Sequence, residues 1–166
     1  MVLRDAIEVR APLTTLFEFF EGMSQERYLG WHPDHKAFRW TVGQGVRPGH
    51  RFYFEEVIAG KLLKKSVEFT VVEQDRHIEF APTFWLMRLF LPRLVFRAEV
   101  TGPETFRFIA EIFLRAGPIA ARLNKREFDA VREHMRVEGV NFKRYAEQGA
   151  SRARESPTAS RRAPKA

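Results

Sequence analysis

Residues 119–148 read IAARLNKREFDAVREHMRVEGVNFKRYAEQ, a long helical pattern at the end of a chain otherwise rich in strands. Gly117-Pro118 precedes them, a stop for a strand and a start for a helix. A helix over Ile119–Gln148 is about 45 Å long. Leu123, Ala130, Val131, His134, Val137, Glu138, Asn141 and Tyr145 fall on the side expected to face a sheet. Phe128, Met135 and Phe142 form a neighbouring apolar stripe. His134 and Glu138 are four apart, so their side chains share one helix face, about 5–6 Å apart at Cβ. An imidazole and a carboxylate at that spacing can hold one divalent cation. The plain alternative is a surface i,i+4 pair.

Strands fill the chain ahead of this helix. Leu3–Val9 alternates and reads as a first strand. Pro12 suits the first position of a helix whose stripe is Leu13, Leu16, Phe17 and Phe20, ending near Gly22. Ser24 is a candidate N-cap for a second short helix ending at Gly30. Phe38–Val42, Arg51–Ile58, Leu62–Val72, His77–Ala81, Leu94–Val100 and Thr105–Leu114 read as strands, the last two joined at Thr101-Gly102-Pro103-Glu104. The class is α+β. Strand, two short helices, a run of antiparallel strands and one long C-terminal helix is the order of the helix-grip fold of the START and Bet v 1-like (polyketide cyclase-like) superfamily. That resemblance covers residues 1–148, and it implies a curved sheet wrapped around the helix with a cavity between them.

Composition narrows the chemistry. Hydrophobic residues make up 45% of the 166, with 16 Phe, so an aromatic core or an apolar pocket is expected. There is no Cys, which leaves only nitrogen and oxygen ligands for a metal. Early charges at Arg4, Asp5, Glu8 and Arg10 do not fit a signal peptide. No 18-residue apolar run exists, and a soluble cytoplasmic protein is the default expectation. The net charge is +7, much of it in residues 149–166, where five basic residues face Glu155 alone. That segment reads as a basic, disordered tail. The body carries no nucleic-acid motif.

Three further groups could serve a site. In Arg51–Ile58, Phe52, Phe54, Glu56 and Ile58 share the more apolar face, so Glu56 is expected to point inward and Glu55 outward. An inward carboxylate needs a cation, a metal or a proton; an arginine such as Arg97 or Arg107 is the structural alternative. Loop residues Trp31–Lys36 carry His32-Pro-Asp-His35, with His35 nearer the following strand and favoured as a ligand. Tyr53, Tyr28 and His32 are candidates for a proton donor, with Tyr53 and His32 taken as catalytic. Phe84–Phe96, rich in apolar residues, reads either as a core segment or as a flap whose Trp85, Met87 and Phe90 join Phe52 and Phe54 in contacting a ligand. Membrane contact through Arg88, Arg93 and the tail ranks third.

HPDH, an inward Glu on the next long strand and His-x-x-x-Glu on the last helix together resemble the 2,4-diacetylphloroglucinol hydrolase group. The resemblance implies a shorter relative with a zinc held by two His and two Glu. Here these are His35 (or His32), Glu56 (or Glu55), His134 and Glu138. It also implies hydrolytic cleavage of a carbon–carbon bond in a small aromatic or polyketide-type ketone. The alternative is a metal-free carrier of a lipid, quinone or polyketide.

Overall fold

The computed structural model describes residues 1–155. It is a helix-grip α+β fold. Seven antiparallel strands form one curved sheet in the order β1-β7-β6-β5-β4-β3-β2. They are β1 (Val2–Val9), β2 (His35–Val42), β3 (Arg51–Ile58), β4 (Lys61–Glu73), β5 (His77–Pro82), β6 (Arg93–Gly102) and β7 (Thr105–Phe113). The helices α1 (Thr15–Glu21) and α2 (Gln25–Trp31) join the two edge strands β1 and β2. A short α3 (Trp85–Phe90) links β5 to β6, and α4 (Pro118–Leu123) and α5 (Lys125–Glu155) follow the sheet. No helix among the described residues is long and apolar enough to cross a membrane.

Local chemistry explains most boundaries. Ser24 Oγ accepts the Arg27 amide at 3.2 Å and caps α2. Ala59 and Gly60 both take positive φ (52° and 76°), the twist a two-residue hairpin between β3 and β4 requires. The expected single C-terminal helix is instead two. Asn124 turns its amide group back onto the Ala120 carbonyl (2.9 Å), competing with the helix backbone and ending α4. In the other direction α5 runs seven residues past Gln148, so 149–155 are helical. The rest of the predicted tail, 156–166, lies outside the described residues. Pro12 precedes α1 by a turn, its carbonyl accepting the Thr15 amide at 3.0 Å, rather than occupying the helix start.

The sheet-facing stripe of α5 also differs from expectation. Met135, Phe142, Ala146 and Ala150 are its buried hydrophobic residues, with Phe142 4.6 Å from Phe108 on β7. Leu123 is 79% exposed, and Tyr145 packs beside Phe19 of α1 rather than on the sheet. The Phe128/Met135/Phe142 row carries the larger apolar area, so it takes the core. His134 and Glu138 consequently lie on the flank of α5 that faces α2 and β3. Gly139 lets α5 settle on β1; a Cβ there would stand 3.0 Å from Asp5 Oδ2.

Between α5 and the sheet is a cavity of about 250 Å³. Its wall is aromatic, with Phe38, Trp40, Phe52, Phe54, Phe80 and Phe96, and its polar groups include Glu56, Lys65, His134 and Glu138.

Candidate metal centre

His35 enters the site at the first residue of β2, beside α2. Its Nδ1 lies 2.8 Å from the Tyr28 carbonyl, an atom that can only accept, so Nδ1 carries the proton. The ring stacks on the Tyr28 ring with centroids 3.8 Å apart. The lone pair of Nε2 is thereby aimed inward. It meets Glu138 Oε1 at 3.1 Å and His134 Nε2 at 3.3 Å.

Glu56 reaches the same point from β3, directly opposite His35 in the β2–β3 register. Pleating sends it inward with Phe54 and Ile58, and it is buried. Its two oxygens have separate partners. Oε1 accepts from the Lys65 ammonium, while Oε2 stands 3.6 Å from His134 Nε2. Burial alone pushes the Glu56 carboxyl up, but the Lys65 ammonium holds it below the ordinary carboxylate range.

α5 supplies the remaining pair. His134 is buried and its Nε2 lies 3.8 Å from Glu138 Oε1. The helix is pinned there: Trp31 Nε1 donates to the Glu138 carbonyl at 3.0 Å, and Asn141 Nδ2 donates to the Trp31 carbonyl at 2.8 Å.

Four donors therefore converge from β2, β3 and two turns of α5. The four separations, 3.1, 3.3, 3.6 and 3.8 Å, bracket the edge of a tetrahedron with zinc–ligand bonds near 2.0–2.1 Å, which is about 3.3–3.4 Å. The donor set is all nitrogen and oxygen, with two carboxylates and two neutral imidazoles. Its charge balances a divalent cation, so the residues present fit zinc. Two of the four have a supporting partner: the Tyr28 carbonyl behind His35 and the Lys65 ammonium behind Glu56.

His32 is also buried, and one ring nitrogen of His32, His35 and His134 lies within 4.8 Å of the others. Its chemistry differs. Nδ1 accepts the Asp34 amide at 3.0 Å, so the single proton of the neutral ring sits on Nε2 and neither nitrogen has a lone pair to give. Burial first, and the adjacent His134 second, lower its pKa to about 4, which keeps it neutral. The ring stacks on His134 at 3.8 Å. It is a neighbour of the four donors but does not line the cavity, which argues against the catalytic role expected of it.

Other expectations need correction. Tyr53 is on the outer face of β3, where its hydroxyl donates to Glu55 Oε1 at 2.5 Å and Arg39 lies over its ring. The alternation that turns Glu56 inward turns Tyr53 outward. Glu55 shares that face and also pairs with Lys64 at 3.5 Å. Tyr28 does line the cavity, but burial and the Glu56 and Glu138 carboxylates raise its pKa far above the ordinary phenol value. Phe52 and Phe54 line the cavity, whereas Trp85, Met87 and Phe90 do not. They form α3, which has no buried residue. Arg97 pairs with Glu111 at 3.0 Å, not with Glu56. Lys65 is the partner that sequence reasoning missed. Its signal was its place in the alternating row Leu63, Lys65, Val67 and Phe69 of β4, opposite Phe54.

No protein-family model and no curated protein matches the chain in sequence. Solved structures match it in fold. The ZhuI aromatase/cyclase from Streptomyces sp. R1128 has a TM-score of 0.68 at 13% identity, covering 89% of this chain and 94% of that one. A START superfamily protein from Mycobacterium smegmatis has a TM-score of 0.61 at 14% identity, covering 89% and 97%. Major latex-like protein 151 from Panax ginseng has a TM-score of 0.64 at 9% identity, covering 88% and 97%. At these identities the likeness is one of fold.

Proposed function

We propose that this chain is a zinc-dependent hydrolase that cleaves a carbon–carbon bond of a small aromatic or polyketide-type ketone. The observation that carries the reading is the meeting of four ligand-type atoms, His35 Nε2, Glu56 Oε2, His134 Nε2 and Glu138 Oε1, at separations that suit one tetrahedral cation. When bound, zinc supplies Lewis acidity toward a ketone oxygen and toward water. The residues do the rest. Phe38, Phe52 and Phe54 present aromatic faces and edges to a flat substrate inside a water-poor pocket. Lys65 holds Glu56 ionised and oriented. His32, tied to the Asp34 amide through Nδ1, stacks on His134 and is not in the cavity wall, so it steadies that ring rather than reaching the substrate. The same motif set is what resembles the 2,4-diacetylphloroglucinol hydrolase group. The shared fold of an aromatase/cyclase is consistent with a polyketide-type ligand.

A second reading rests on the cavity wall. It is overwhelmingly apolar and about 250 Å³ in volume, as a metal-free carrier of a hydrophobic molecule needs. Elemental analysis of untagged protein, purified without chelator, separates the two. About one zinc per chain supports the hydrolase and directs a screen of acylated phenols and β-diketones for cleavage. Protein that holds no metal and takes up none on addition of zinc is the carrier.

A further inference from the structure

Fifteen large apolar side chains are exposed among the described residues, and seven of them lie in two short segments. Phe84, Trp85, Leu86, Leu89 and Phe90 form α3 and its start; Ile119 and Leu123 belong to α4. Trp85 is 70% exposed and Ile119 77%. The Arg115 amide donates to the Phe90 carbonyl at 2.8 Å, which sets the end of α3 against the strand end leading into α4. This bond and the pairing of Arg93 with Phe113 bring the two segments to the same end of the sheet. They also adjoin the cavity, because Leu91, just after α3, and Leu114, just before Arg115, line it. Clustered exposure of this kind marks a contact surface rather than scattered surface apolarity.

Charge identifies the partner. Residues 83–95 and 114–126 hold Arg88, Arg93, Arg115, Arg122, Lys125 and Arg126, and no Asp or Glu. Two of the six pair with carboxylates outside these segments, Arg93 with Glu79 and Lys125 with Asp129. Two copies meeting through this face would set like charges together. Trp, Phe, Leu and Ile mixed with Arg is instead the composition that inserts at a lipid headgroup boundary and is drawn to anionic lipid. We propose that the α3/α4 face docks on an anionic membrane surface, with the cavity rim at the headgroup level.

The test is cosedimentation of the full chain with vesicles of phosphatidylcholine, alone or mixed with phosphatidylglycerol, at low and high salt. Binding is expected to the mixed vesicles only, weakened by salt, with a blue shift of the Trp85 emission. Trp85→Ser with Phe90→Ser, and Arg88→Glu with Arg122→Glu, should each lower partitioning roughly tenfold or more. All four positions are exposed, so unchanged thermal unfolding will show that the variants are folded. Absence of binding overturns the proposal. So does wild-type binding by both double variants, or binding lost only when residues 156–166 are removed, which assigns it to the basic end of the chain. A vesicle-free dimer that these substitutions dissociate overturns it in favour of a second copy.

Discussion

A backbone carbonyl settles what His35 can do. Because Nδ1 donates to the Tyr28 carbonyl, the Nε2 lone pair is left pointing between Glu138 and His134, free for a cation. The same logic removes His32 from the ligand set, since the Asp34 amide occupies its Nδ1. His134→Ala and Glu138→Ala should therefore each cut zinc stoichiometry sharply with the far-UV circular dichroism unchanged. Metal content unaffected by both would sink the site. Glu56→Gln should be severe and Glu55→Gln mild, because Glu55 spends its carboxylate on Tyr53 and Lys64 at the outer face. Lys65→Met should weaken zinc binding about 10–100-fold, as loss of a supporting partner does, without removing a ligand. Competition with a chromophoric chelator reads all of these. The His-x-x-x-Glu spacing and the strand alternation made His134, Glu138 and Glu56 legible in the sequence. The same alternation puts Tyr53 on the face of Glu55, a signal that the catalytic role expected of Tyr53 overlooked. Lys65 was harder to find, because a lysine is ordinarily read as solvent-facing and its carboxylate partner lies on another strand.

At the scale of elements, α5 rests on β1 with Asp5 beneath Gly139. Burial raises the Asp5 pKa, against smaller lowering contributions from the Ala6 amide and Arg136. A carboxyl with a raised folded-state pKa binds its proton more tightly in the folded chain. Ionised Asp5 therefore opposes folding at neutral pH, and that opposition fades as pH falls through the raised value toward the unfolded one. Asp5→Asn should raise the melting temperature at pH 7, with the gain shrinking as the solution is acidified. A loss of stability at pH 7 would mean that the Arg136 attraction outweighs burial. Helix and strand existence followed from periodicity, and the cap at Ser24 from residue type. The stripe of α5 did not, because two apolar rows lie side by side and only packing on Phe106 and Phe108 selects the one bearing Phe142. Nor did α3, whose apolar run lacks a decisive period and is exposed in the fold.

Across the whole molecule, the centre exists only once the chain has closed. His35 meets His134 and Glu138 across 99 and 103 residues, so no local segment brings these donors together. A ligand that binds the folded chain alone stabilises it by mass action, about 2.7 kcal/mol at a free concentration one hundred times Kd. For a chain of 166 residues that corresponds to a rise in Tm of roughly 5–10 °C. Removing metal with a chelator should lower Tm by that amount, and adding zinc should restore it. Without a cation, Glu138 Oε1 faces the His35 Nε2 lone pair, so the metal-free protein should also recover stability in Glu138→Gln, whose amide can donate to His35. The same substitution should abolish the zinc-dependent rise. A variant that loses the rise yet gains stability without metal identifies Glu138 as a ligand rather than as a counter-ion to a protonated His35. A counter-ion would instead leave Glu138→Gln less stable with or without zinc.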